Sequence, residues 1–313
     1  MKDFNLKFLE PDSNWKELGI KNQKDYLDKI YIEGRFHKNV PDVIKMDFKL
    51  VESLIFYSYF NYRLIDEAFG KATRNFESSV DIRMDELNLE RQKGFESLKS
   101  KIDRLQKYYS TELTNQYKVL KELRNTFAHH KAGRLLGITV VNGFIHVINM
   151  INSLFLSKIQ IEHKERLLKK LTIESSHLRK GTFILENAEN RYLIWSAVPQ
   201  TCWKSDDKNL KSFWVFHPIV AASEITDINH FPEPFYYNLK DLEIYDSGMK
   251  GVNLESGGII TMTATDNEDN INYYKKHFQL MRKTDLELKQ MYAHLLQQNI
   301  GKRVSKFLYK EAW

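Results

Sequence analysis

Arg124, Asn125 and His129 stand in the stretch LRNTFAHHKAG, residues 123–133, with a second histidine, His130, directly behind the first. Cleavage of RNA by attack of a 2′-hydroxyl on its own neighbouring phosphate needs a proton acceptor, a proton donor and a cation on the phosphoryl oxygens. Imidazole titrates near neutral pH, and the C-terminal end of a helix favours its charged form. The planar fork of a guanidinium suits a crowded trigonal-bipyramidal phosphate better than the point charge of an ammonium. Asn125, about one helical turn before His129, can orient the imidazole or hydrogen-bond such a substrate. One copy of this set is a weak site; two copies brought face to face supply acid, base and paired cations together.

The element that must carry these groups is a long helix, expected over about Ser97 to Lys131. Ile102, Leu105, Tyr109, Leu113, Leu120, Leu123 and Phe127 recur there at three- and four-residue steps and form one apolar stripe. Asn125 and His129 lie opposite that stripe. Arg124 sits about 140° round from His129, with a side chain long enough to swing to either edge. His130 flanks the stripe and reads first as a packed or capping histidine, second as an accessory site residue. Gly133 fits a left-handed cap.

The wider chain supports a helical first half. No proline falls between Pro41 and Pro199, and glycine is sparse. A helix is expected from Asp42 to about Phe76, then a linker or short helix through SSVDIRMDELNLERQKG, then the motif helix, then a third long helix from about Leu136 to Leu171. In that third helix Asn142, His146 and Asn149 share one face, so Asn142 and His146 are accessory candidates, with internal hydrogen bonding the plainer reading. Residues 135–156 carry no charged side chain. Their aligned amides and histidine favour burial against protein over insertion in a membrane. Beyond Pro199, aromatic and β-branched runs such as FWVFHPIV and GGIITMTAT alternate with turns. KGTFILENAENRYLIW reads as two strands about a polar turn, further short strands run to about Ala264, and the last stretch is helical. Two domains are expected, residues 1–177 and 178–313: an all-α up-and-down bundle, then a smaller α+β domain ending in helices, its fold left open. The whole is α+β.

Charge is distributed unevenly. The formal net charge is +6, yet residues 91–180 hold 18 Lys and Arg against 7 Asp and Glu. That excess surrounds the motif and favours a polyanionic partner, nucleic acid first, although long helices also carry lysines simply to stay solvated. Lys131, Arg134, Lys164 and Arg166 are the candidate phosphate-binding residues. The single cysteine, Cys202, has no partner for a disulfide or a thiolate metal site and fits a reducing cytosol. The N-terminal stretch lacks the apolar core of a secretory signal. No metal-ligand spacing, Walker-type glycine loop or Gly-x-Ser-x-Gly elbow is found, so neither metal nor cofactor is expected. Trp195, Trp203, Trp214, Tyr236 and Tyr237 read as core before they read as base-stacking platforms.

R-N-T-F-A-H at 124–129 resembles the R-polar-x-x-x-H motif of the HEPN superfamily, helical ribonucleases and nucleotide-binding proteins of toxin–antitoxin, abortive-infection and RNA-targeting systems. The resemblance spans roughly residues 20–175. It implies a bundle in which the motif ends a long helix, a homodimer whose two motifs face each other, and a metal-independent endoribonuclease with Arg124 and His129 catalytic and Asn125 supporting them. It further implies RNA as substrate, a cytoplasmic location, a role in bacterial anti-phage defence or as a toxin, and an antitoxin or other regulatory partner. Lys131 stands where one branch of the family carries a modified tyrosine, so that form of control is not expected. The alternative is a non-catalytic module that binds RNA or protein through the same bundle.

Overall fold

The computed structural model describes residues 10–90, 96–109, 117, 137–204, 209–220 and 224–313. The chain divides into two compact units, residues 1–158 with Trp313, and residues 159–312. Helices precede a closed antiparallel sheet, so the fold is α+β. Arg124, Asn125, His129, His130, Lys131 and Arg134 lie outside the described residues.

Six helices are described in the first unit: α1 (Ser13–Glu17), α2 (Gln23–Lys29), α3 (Asp42–Tyr57), α4 (Leu64–Glu86), α5 (Leu98–Leu105) and α6 (Val141–Leu154). Asp12, Asn22 and Ser97 cap α1, α2 and α5 with side-chain oxygens that accept first-turn N–H groups. α3 and α4 run antiparallel: Lys71 pairs with Asp47 at 2.5 Å, while Asn75, one turn further along α4, donates back to the Ile44 carbonyl at 3.1 Å. α5 is antiparallel to α4. Lys101 pairs with Asp81 at 2.6 Å, and the later Tyr117 ring lies 5.8 Å from the earlier Phe76 ring. α6 runs parallel to α4, with Phe144 against Phe69 at 5.3 Å and Arg83 Nη2 donating to the Leu156 carbonyl at 3.4 Å. Among the described helices, α3 and α5 thus run against α4, and α6 runs with it.

The helix expected over about Ser97 to Lys131 is described as α5, which ends at Leu105, with residues 106–109 in a turn and bend. Three further expected helix boundaries shift, each for a tertiary reason. The run expected from Asp42 to Phe76 turns at 58–63. No glycine or proline marks the turn, but Trp15 Nε1 donates to the buried Ser58 carbonyl at 2.7 Å and Asp12 accepts from the Tyr62 N–H at 2.8 Å. The linker or short helix expected from Ser78 is helical as far as Glu86, but as the continuation of α4, where Ser79, Val80 and Met84 are buried. The helix expected over 136–171 begins as a 3₁₀ turn at Gly137–Val140 and breaks at 155–157. There the carbonyls released at its end are taken up by Tyr109 Oη at Leu154 and by Arg83 at Leu156.

The second half of that run, α7 (Lys158–Glu174), belongs to the second unit, so the division falls at Lys158 and Ile159 rather than at 177 and 178. Leu167, Leu168 and Leu171 of α7 pack on the core of a six-stranded barrel. Its strands are β1 (Phe183–Glu186), β2 (Arg191–Lys204), β3 (Leu210–Pro218), β4 (Phe235–Tyr245), β5 (Gly248–Asn253) and β6 (Ile259–Ala264). Each pairs antiparallel with the next, and β6 closes on β1 through Leu185 opposite Met262. Closure leaves no free sheet edge. Bulges in β2 and β4 restore the inward phase where strict alternation would lose it, and Asp241 adopts φ 49° in the β4 bulge. Trp214, Phe216, Leu239, Met249 and Met262 fill the interior, and Leu171 and Leu178 pack in the same cluster. The helices α8 (Glu268–Lys283) and α9 (Leu286–Glu311) follow. Ile300 and Phe307 of α9 cover the outward side chains Phe213 and Val215 of β3.

Candidate functional site

The described residues on both sides of the motif are anchored on α4. Before it, Tyr117 is fully buried against Phe76 and Tyr109, with its hydroxyl 3.0 Å from the Ser153 hydroxyl. After it, the Gly137 N–H donates to Asp66 Oδ1 and the Ile138 N–H to Tyr62 Oη, both at 2.9 Å. Gly137 has φ +52°, and a β-carbon there would fall 1.9 Å from Tyr62 Oη. Only glycine meets both demands. Phe76 and Asp66 are ten residues apart on one helix, so the two anchors are separated by about 15 Å along it. Arg124, Asn125 and His129 fall in sequence between them.

The accessory residues on α6 grade from solvent to core. Asn142 is exposed, His146 half-buried, and Asn149 buried. Asn149 Oδ1 accepts the Trp313 indole N–H at 2.6 Å, which is the internal hydrogen bonding expected of a bundle amide. Burial pushes the His146 imidazole down to about 4, so at neutral pH it is uncharged. An uncharged imidazole of that basicity accepts or donates a hydrogen bond but is a poor proton donor to a leaving group at pH 7. The uncharged run that contains α6 packs as core: 67% of the window Gly137–Leu154 is buried within the structure.

Lys164 and Arg166 do not share a face. Lys164 lies on the stripe of α7 that meets the barrel, half-buried, and its charge eases the Cys202 thiol slightly downward. Arg166 is exposed on the other side, with Nε donating to the Glu162 carbonyl at 3.3 Å. Two residues along a helix are about 200° apart, so the segment HKERLLKK offers no single basic grip made of both. Cys202 itself is buried, and burial drives its thiol up to about 11, which leaves no reactive thiolate at neutral pH.

Sequence reasoning missed two histidine environments. His37 is clamped onto α6: its N–H donates to Asn152 Oδ1 at 2.9 Å, and its Nε2 meets the Asn152 carbonyl at 2.8 Å. On the barrel, Trp195 lies between His217 and His277, at 5.4 and 5.9 Å between ring centroids, with Phe278 edge-on. Burial lowers both imidazoles to about 4. His277 Nδ1 accepts the Val220 N–H at 3.1 Å. Neither arrangement has a periodicity or spacing that a sequence could reveal, because their partners lie 22–115 residues away along the chain.

Two of the barrel aromatics that sequence singled out are packed by named partners. Trp214 is buried in the interior and donates to Ser212 Oγ at 2.9 Å, and Tyr236 lies beneath the Arg303 guanidinium at 3.9 Å. A cavity of about 550 Å³ at one end of the barrel is lined by Glu174, His177, Asp241 and Asp246. Its acidic lining is unsuited to a polyanion. Among the described residues no group of three His, Cys, Asp or Glu side chains is placed to hold a metal ion. No family model, curated protein or solved structure matches this chain.

Proposed function

We propose that the protein is a metal-independent endoribonuclease of the HEPN type, acting as a homodimer in the cytoplasm in bacterial anti-phage defence or as a toxin. The observation that carries the proposal is the R-N-x-x-x-H spacing of Arg124, Asn125 and His129, in a segment flanked by Tyr117, packed on Phe76 of α4, and by Gly137, bonded to Asp66 of α4. The basic excess of residues 91–180 supports it.

In this reading one His129 takes the proton of the 2′-hydroxyl as that oxygen bonds to phosphorus. The His129 of the second copy protonates the departing 5′-oxygen, and the two Arg124 side chains neutralise the phosphoryl oxygens. The products end in a 2′,3′-cyclic phosphate and a free 5′-hydroxyl. His146, neutral at working pH, serves as a hydrogen-bonding neighbour and not as the acid.

Purified protein incubated with RNA in excess EDTA tests the proposal. Cleavage that persists in EDTA and is lost in His129→Ala and Arg124→Ala supports it. Undiminished cleavage by His129→Ala, or none by the wild type, overturns it. RNA binding without cleavage, unaffected by His129→Ala, would assign the chain to the alternative of a non-catalytic binding module.

A further inference from the structure

Helix α3 buries one side and leaves a second apolar stripe uncovered. Ile44, Phe48, Val51 and Ile55 face the core. Val43, Met46, Leu50 and Tyr57 are 60%, 74%, 51% and 56% exposed, and Leu54 beside them is half-buried. At about 100° per residue these five fall within an arc of about 80°. Isolated exposed apolar residues need no explanation, but a contiguous stripe at three- and four-residue spacing does.

The charges around the stripe are closed off within the chain. Lys45 pairs with Asp42 at 3.1 Å, Lys49 with Glu52 at 2.7 Å, and Asp47 with Lys71 of α4 at 2.5 Å. Every charged side chain of α3 is therefore matched, and the borders of the stripe are neutral. Such a surface offers nothing to a polyanion and does not repel its own kind.

The order of the apolar residues is symmetric about Leu50. Val43 and Tyr57 stand seven residues to either side, and Met46 and Leu54 four residues to either side. Two copies of α3 crossing antiparallel about a twofold axis at Leu50 set Val43 against Tyr57, Met46 against Leu54 and Leu50 against itself. That is the isologous contact a closed dimer requires. The four exposed side chains present roughly 450 Å² per chain, so a pair hides about 900 Å² before lysine stems are counted, near the roughly 1,000 Å² at which specific interfaces begin.

We propose that the outer stripe of α3, centred on Leu50, is a self-association surface on which a second copy of this chain docks antiparallel. The inference shares with the proposed function only the idea of a symmetric pair, and it is carried by α3 itself.

Sedimentation velocity on the full chain up to about 100 µM tests it. The wild type is expected to form a concentration-dependent dimer, and Met46→Glu and Leu50→Glu each to weaken it at least about tenfold. Ile173→Glu, at an exposed site on α7, should leave it unchanged. Circular dichroism verifies that the variants remain folded. Because the native Cys202 is buried, a short bismaleimide should join two copies of the Leu50→Cys variant through that position. A wild type that stays monomeric, a dimer indifferent to Leu50→Glu, or a Leu50→Cys variant that does not link overturns the proposal. His129→Ala leaves sedimentation untouched in this scheme, so loss of RNA cleavage and loss of assembly are read separately.

Discussion

Asn152 holds His37 in a single tautomer. The His37 Nδ1 accepts the Asn39 N–H at 3.2 Å, so Nε2 carries the hydrogen that it donates to the Asn152 carbonyl at 2.8 Å. The Asn152 side chain meanwhile accepts the His37 N–H at 2.9 Å and donates to the carbonyls of Arg35 and Ile148 at 2.8 and 3.0 Å. One fully buried amide thus fastens the segment before α3 to the last turn of α6. Asn152→Leu removes the three side-chain bonds, leaves the main-chain carbonyl to His37 Nε2, and strands the His37 N–H and the Arg35 carbonyl, at an expected cost of about 2–4 kcal/mol. A thermal or urea melt of the variant measures it, and an unchanged midpoint would refute the clamp.

Acid should destabilise the protein well before its carboxylates titrate. Burial holds His146, His217 and His277 at about 4, against an ordinary value of 6.5. Above about 6.5 both folded and unfolded states are neutral at these positions, so nothing is lost there. Between that value and about 4 the unfolded chain binds protons that the folded chain refuses, and stability falls as pH falls. Urea midpoints compared at pH 7.5, 6 and 5 should decline, and His217→Phe should flatten the decline.

Gly137→Ala should weaken the first unit by about 1–3 kcal/mol, since it imposes both a left-handed backbone and a collision with Tyr62. Tyr62→Phe removes only the bond to the Ile138 N–H and should cost about 1 kcal/mol. Equal stabilities for the two variants would argue against the anchor. In the nuclease reading both also lower cleavage, because the chain leaves the motif at this point.

The contrast between two histidines bears on the chemistry. His129→Ala is expected to reduce RNA cleavage at least about a hundredfold, the lower end of what general acid–base groups contribute. His146→Ala should leave the pH–rate profile between pH 6 and 8 unchanged in shape, since an imidazole held at about 4 does not titrate there. A shift of that profile in His146→Ala would reassign the acid or base.

Cys202 should resist maleimide and iodoacetamide at pH 8 in the native protein and react once urea exposes it, as its burial and raised thiol demand. Rapid native labelling would contradict the closed barrel interior.

Local pattern decided the identity of most elements and little of their assembly. The absence of proline between 41 and 199 made long helices legible, and β-branched runs with polar turns disclosed the β1–β2 hairpin and a strand-rich segment ending at Ala264. The turn at 58–63 was invisible because Trp15, Tyr26 and Asp12, far upstream, create it by satisfying its backbone groups. The end of α6 was equally hidden, since Tyr109 and Arg83 take up its last carbonyls. The motif of Arg124, Asn125 and His129 is a matter of residue type and spacing, which sequence carries in full. Closure of β6 on β1, burial of His146 and the clamp of His37 on Asn152 required the folded chain. Each joins residues separated by too many positions for periodicity to encode, and only packing makes them neighbours.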